Sequence, residues 1–297
     1  MKNEQTSNNR SANILLSGIS DAVWAMNHDA WGGILALAAG HANTDPEAKP
    51  PKLPTIKGSL AIVPVVGVIA QHASWYSDVS TDRLGRTLDD LMADASVGAI
   101  VLNFDSPGGV VYGTPELGEK IRGYRGNGKS IYAVANATAF SAAYWLASQA
   151  EKLFVIPSGQ VGSIGVWSAH VDISGYEEKL GIKTTLVSAG KYKVEGHPWE
   201  PLGDEAREEM QREVDMYHGM FIDAVAKGRG VKTSIVREQY GQGRLIEASR
   251  AVEIGMADGI ATLDEVVGSL ARSQRDRKTS VENLRLAEAR VAIQERD

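Results

Sequence analysis

Ala99-Ile100-Val101-Leu102-Asn103-Phe104-Asp105-Ser106-Pro107-Gly108-Gly109 runs from an apolar stretch straight into a turn. Ala99, Ile100, Val101, Leu102 and Phe104 read as a short strand buried on both faces, the pattern of a parallel sheet covered by helices. Pro107 presets one turn dihedral, and Gly108 and Gly109 let the backbone take conformations in which amide N–H groups face outward. Outward amides at such a place can stabilise an oxyanion. An isolated Pro-Gly-Gly is more often just a tight strand-to-helix turn, so the stretch decides the fold before it decides any chemistry.

On its N-terminal side, Leu84, Leu88, Leu91 and Met92 recur at helical spacing behind the possible caps Ser80 and Thr81. Before them Leu60, Ile62, Val63, Val65, Val66, Val68 and Ile69 form a second buried strand, in which Pro64 points to an edge or a bulge. On the C-terminal side the pattern predicts a helix over Leu117–Tyr124, a strand over Ile131–Val134, a helix over Ala142–Ala150 and strands over Leu153–Ile156 and Thr184–Val187. Such alternation predicts an α/β fold, a mainly parallel sheet covered by helices, with sites at the carboxyl ends of the strands. Met210, Val214, Tyr217, Phe221 and Val225 stripe one face of a long helix whose first turns carry Asp204, Glu205, Glu208 and Glu209. Three parts follow: residues 1–54 as an N-terminal arm and Pro-rich linker, 55–267 as the main domain, and 268–297 as a charged tail, read as a helical extension with a partner-binding arm or a disordered end as the alternatives.

The chain has 297 residues, a net charge of −6 with no long basic run, and no cysteine. The first number allows a sizeable core. The second excludes a nucleic-acid footprint, and the third leaves any chemistry to oxygen, nitrogen or carboxylate. The apolar stretch Ile34–Ala39 is too short to span a bilayer and follows His28 and Asp29 rather than a basic run. It reads as a short helix packed on the domain, with no signal peptide or membrane anchor.

Ser141 lies in Ala137-Thr138-Ala139-Phe140-Ser141-Ala142-Ala143-Tyr144, just after a strand and at a helix start. Helix N-termini offer unpaired amides and positive potential, which suit a serine that must carry an acyl intermediate; a serine there is also an ordinary N-cap. A serine hydroxyl needs a base. Of His28, His41, His72, His170, His197 and His218, His170 is the best placed, and none shows a local triad signature. A lysine can replace histidine if burial lowers its pKa, and a shift of about 3 units costs roughly 4 kcal/mol. Lys191-Tyr192-Lys193 offers two candidates, which period-2 geometry alone cannot separate. Val161-Gly162-Ser163-Ile164-Gly165-Val166 is a further glycine-bracketed serine, without the Gly-Lys-[Ser/Thr] ending of a phosphate-binding loop.

Taken together these segments resemble the signal peptide peptidase A family of serine proteases, which share the Clp-protease/crotonase type of fold. The similarity covers roughly Ser59 to Val267 and rests on four ordered matches: Asp105-Ser106-Pro107-Gly108-Gly109; Phe140-Ser141-Ala142-Ala143-Tyr144; Gly162-Ser163-Ile164-Gly165-Val166; and Ser188-Ala189-Gly190-Lys191-Tyr192-Lys193. The resemblance implies Ser141 as nucleophile, Lys193 as general base, Ser163 as partner of that lysine, and oxyanion donors at the N–H groups of Gly109 and Ala142. It makes 55–267 a Ser-Lys protease domain and implies no cofactor and no metal.

Within the family, Gly162–His170 and Lys193-Val194-Glu195-Gly196-His197-Pro198 are similar to the head-maturation proteases of lambda-type tailed bacteriophages. That branch implies a homo-oligomer, made in the host cytoplasm and acting inside the procapsid on scaffold, portal or other head proteins. Ala142 and Ala143 depart from the family's usual glycine and raise the expectation of a narrowed site. The rivals are a Clp-type Ser-His-Asp protease using His170, a host signal-peptide-peptidase-like enzyme, a crotonase-like acyl-CoA enzyme, and an inactive capsid-associated structural protein.

Overall fold

The computed structural model describes residues 22–26, 30, 32, 34 and 50–294. The polar start Met1–Arg10, most of Ile34–Ala39 and most of the stretch His41–Pro54 lie outside the described residues. β6 (Ala99–Ser106) runs through the middle of an eight-stranded sheet, and Ala99 to Leu102 and Phe104 are fully buried on it. It pairs in parallel with β3 (Leu60–Val66) on one side and β8 (Ser130–Phe140) on the other. β2 (Thr55–Lys57) continues the sheet beyond β3. Beyond β8 lie β10 (Gln160–Gly162) and β11 (Leu245–Glu247), while β9 (Lys152–Val155) pairs with β8 and with β12 (Gly259–Ile260). β2 covers only Leu60–Ile62 of β3, so Pro64 sits where β3 has a single neighbour, as the missing N–H requires.

Helices cover the sheet as the apolar spacing demands. α1 (Thr81–Ala93) starts at Ser80, whose hydroxyl accepts from the Arg83 N–H at 3.3 Å, and buries Leu84, Leu88 and Leu91. α2 (Thr114–Gly123), α3 (Ala142–Ala147) and the long α5 (Asp204–Arg229) pack on one another, with Trp145 of α3 stacked on Phe221 of α5 at 4.5 Å. The Arg125 guanidinium donates to the carbonyls of Ser148, Gln149, Ala150 and Gly228. It thereby satisfies chain ends at the C-termini of α3 and α5 that no helical N–H can reach. α4 (Ser174–Leu180), α6 (Thr233–Gln239) and α7 (Ala248–Glu253) are short; α8 (Leu263–Gln294) is continuous, and its first turns bury Val266 and Leu270.

Two features differ from the sequence reading. Thr184–Val187 is not a strand: it is exposed, with Val187 95% accessible, because among the described residues no strand lies beside it to complete a ladder. Within residues 1–54, β1 (Trp24–Met26) is a buried strand at the edge of a second sheet, ordered β1, β7 (Gly108–Val110), β4 (Ile69–Ala70), β5 (Val79–Ser80). Trp24, Met26, Ile34, Ala70 and Val110 form a separate apolar cluster beneath it.

Candidate active site

The site forms where the carboxyl ends of β6, β8 and β10 meet. β8 and β10 pair in parallel with Phe140 opposite Gly162, so the next residues, Ser141 and Ser163, emerge side by side. The Ser141 N–H donates to the Gly162 carbonyl at 2.7 Å, and the Ser163 N–H donates to the Arg244 carbonyl at 2.9 Å. Both serines have positive φ, 54° and 55°, and Ser141 takes ψ −118°. A non-glycine residue there is strained by about 1–3 kcal/mol, the kind of sharp strand-to-helix turn that presents a nucleophile. The Ser141 hydroxyl lies 3.4 Å from the Gly165 carbonyl, a long contact that leaves it close to free for chemistry.

Across the site, the turn after β6 is fixed by Ser106. Its hydroxyl donates to the Gly67 carbonyl at 2.7 Å and accepts from the Gly108 N–H at 3.2 Å. Gly108 has φ +97°, and a methyl group on it would stand 2.9 Å from the Phe140 carbonyl oxygen and 3.0 Å from Ser141 Cβ. A methyl on Gly109 would stand 1.8 Å from the Ile69 carbonyl oxygen. Only glycine brings the backbone this close to the serine. Ala142, first residue of α3, supplies a first-turn N–H on the other flank. Ala142 and Ala143 are fully buried and belong to the main core, so their methyl groups point into packing.

The structure thus brings together Ser141, Ser163, Gly109 and Ala142. It does not bring Lys193 to them. Lys193 is exposed, its N–H donating to the Gly190 carbonyl at 3.2 Å, and among the described residues no hydrogen bond joins it to either serine. Lys191 is held elsewhere: its ammonium bonds Glu205 and the Tyr192 hydroxyl, both at 2.8 Å, and the Glu205 hydrogen bond pushes its pKa up. A base needs the opposite shift. The His170 ring lies 3.1 Å from the His197 carbonyl oxygen.

The profile of peptidase family S49 matches residues 124–276, just over half of the chain. The chain belongs to peptidase family S49. It is 30% identical over 227 residues to the head-tail preconnector protein GP5 of Enterobacteria phage P21, covering 75% of this chain and 45% of that one. Over 275 residues it is 26% identical to the capsid assembly protease C of Escherichia phage lambda, covering 91% and 62%. A putative signal peptide peptidase SppA of Enterococcus faecium is 29% identical over 188 residues, covering 63% and 54%. This S49 chain therefore spans about half the length of these relatives. No helix among its described residues is long and apolar enough to cross a membrane.

The reading of residue types had no means to find two neighbours of the site, Ala25 of β1 and Trp167. Both are placed by backbone pairing, and a three-residue strand has no periodicity to detect.

Proposed function

We propose that the chain is a serine endopeptidase in which Ser141 is the nucleophile, Lys193 the general base, Ser163 the partner of that lysine, and the N–H groups of Gly109 and Ala142 the oxyanion donors. The observation that carries this reading is the strained Ser141 set between the Gly108-Gly109 turn and Ser163. In the attack, the hydroxyl proton passes to the Lys193 amine as Ser141 Oγ bonds the peptide carbonyl carbon, and the two amides hold the oxyanion. The same proton then goes to the leaving amine, and water repeats the sequence on the acyl-enzyme.

For a neutral lysine the ammonium must lose water. The segment that carries Lys193 exposes Ile182, Leu186, Val187 and Tyr192, an apolar lining that needs a surface to cover. Closure of this segment over a Ser141 site, its own or that of a neighbouring copy in a homo-oligomer, supplies that burial. The biological role is head maturation of a phage or prophage: cleavage of scaffold, portal or other head proteins, made in the host cytoplasm and enclosed in the procapsid. Its support is the likeness to a capsid assembly protease and a head-tail preconnector protein.

Co-expression with candidate head proteins tests the reading. Cleavage is expected with the wild-type chain and absent with Ser141→Ala; cleavage by Ser141→Ala would sink the mechanism. Mixing Ser141→Ala with Lys193→Met restores activity if the lysine comes from another copy, and restores none if it comes from the same one.

A further inference from the structure

Ser141 is 1% accessible, although a nucleophile must meet a peptide. What lies beside it is β1. β1 runs antiparallel to β7 in the register Trp24–Val110, Ala25–Gly109, Met26–Gly108. Its other edge is bonded to Trp167: the Trp24 N–H donates to the Trp167 carbonyl at 2.8 Å, and the Trp167 N–H donates to the Trp24 carbonyl at 2.9 Å. The Trp167 indole N–H also donates to the Met26 carbonyl at 2.9 Å, and the Trp24 and Trp167 rings stack at 6.1 Å. The strand therefore fills a slot between two backbone edges, the mode in which extended peptides add to a sheet.

The register shows what the slot is aimed at. The Val111 N–H donates to the Val23 carbonyl at 3.0 Å, so Val23 and Val111 form a hydrogen-bonded pair. Antiparallel ladders alternate, which makes Ala25 and Gly109 the next pair to exchange hydrogen bonds and directs the Gly109 N–H at the Ala25 carbonyl. A methyl on Gly108 would lie 2.3 Å from that carbonyl oxygen and 3.0 Å from Ser141 Cβ, so the two atoms are within about 5.3 Å of each other.

Resting on the peptidase reading above, we infer that Val23–Met26 is an intramolecular inhibitor lying in the place of a substrate strand, with the Ala25 carbonyl where the attacked carbonyl belongs. With Lys193 away from Ser141 the bound strand is not cut, and an external peptide has to displace it. Tethering gives such a strand a high effective concentration, on the order of millimolar.

The chain has no cysteine, so an introduced pair reads cleanly. Val23→Cys with Val111→Cys joins a hydrogen-bonded pair, about 5.5 Å between Cα atoms, which a disulfide can span. The full-length double variant, oxidised with diamide, is expected to hydrolyse a fluorogenic peptide at least tenfold more slowly than after reduction. Trp24→Ala, which loosens β1, is expected to raise kcat/KM at least tenfold; should that variant fail to fold, the disulfide pair carries the test alone. Equal rates in the oxidised and reduced forms, with hydrolysis still dependent on Ser141, would overturn this inference and leave the peptidase standing. No hydrolysis in any form would remove both.

Discussion

Gly109→Ala is the sharpest probe of the site. The added methyl would stand 1.8 Å from the Ile69 carbonyl oxygen, 2.6 Å from its carbonyl carbon and 2.7 Å from the Ile69 nitrogen, and since all three are backbone no side chain can rotate aside. Restoring a contact of 3.0 Å requires β7 and β4 to part by about 1.2 Å. Misplacing a catalytic group by 1 Å costs about 100-fold, and loss of one oxyanion donor costs about 100- to 1000-fold in kcat. Gly109→Ala should therefore lower kcat by two to three powers of ten. Overpacking should also cost about 1–3 kcal/mol of stability, a fall of roughly 3–10 °C in Tm. Gly85→Ala is the control: it lies in α1, where the nearest atom to its methyl would be Leu117 Cδ1 at 3.7 Å, and a gain of about 0.5–1 kcal/mol with unchanged kcat is expected. The measurements are peptide hydrolysis at saturating substrate and thermal melting of both variants. Full kcat in Gly109→Ala would show that its N–H is not an oxyanion donor.

Lys193→Met should lose activity as completely as Ser141→Ala, whereas Lys191→Met, which breaks only the exposed contacts to Glu205 and Tyr192, should keep most of it; equal loss in both would remove Lys193 as the base. Asp258 sits against the buried Arg229 at 2.7 Å. Burial pushes the Asp258 carboxyl up, but the Arg229 hydrogen bond, the Leu153 N–H and the Arg229 charge outweigh it and hold it below its ordinary value. Asp258→Asn should destabilise by about 2–3 kcal/mol, under the range for fully buried pairs because Asp258 keeps a third of its surface in water. A depressed carboxyl stabilises above its unfolded pKa of about 3.9 and loses that contribution as pH falls through the lower folded value, so wild type and variant should converge below about pH 4. Denaturant titration at pH 7 and pH 3 checks this, and a gap unchanged with pH would refute the pairing. Finally, Ser141→Gly should be more stable to unfolding than Ser141→Ala by about 1 kcal/mol, because glycine accepts φ 54° without strain; equal stability would mean the turn is unstrained in solution.

Much of the fold was legible because it rests on side-chain character. The continuous apolar runs of β3 and β6 announced central parallel strands, and Ser80, Leu84, Leu88 and Leu91 announced α1. Thr184–Val187 misled for the same reason. Thr184, Thr185, Leu186 and Val187 have the composition of a strand, but a strand exists only as part of a ladder, and among the described residues no partner edge is available. The serines and glycines of the candidate site were legible because each stands where an apolar strand run ends in the sequence.

Lys193 was singled out only through family resemblance, and the geometry explains why. Nothing in Lys191-Tyr192-Lys193 distinguishes two exposed lysines until Glu205, 14 positions from Lys191 in sequence, claims that one. A lysine base is defined by burial, and both lysines are exposed. The same logic applies to β1. Trp24-Ala25-Met26 carries no motif, because what sets it beside Ser141 is backbone N–H and C=O pairing, which every residue except proline offers alike. An alanine whose side chain fits a confined slot and whose carbonyl meets the Gly109 N–H looks, in sequence, like any other alanine. Sequence therefore reports the parts of this site that depend on residue type, and structure is needed for those that depend on register.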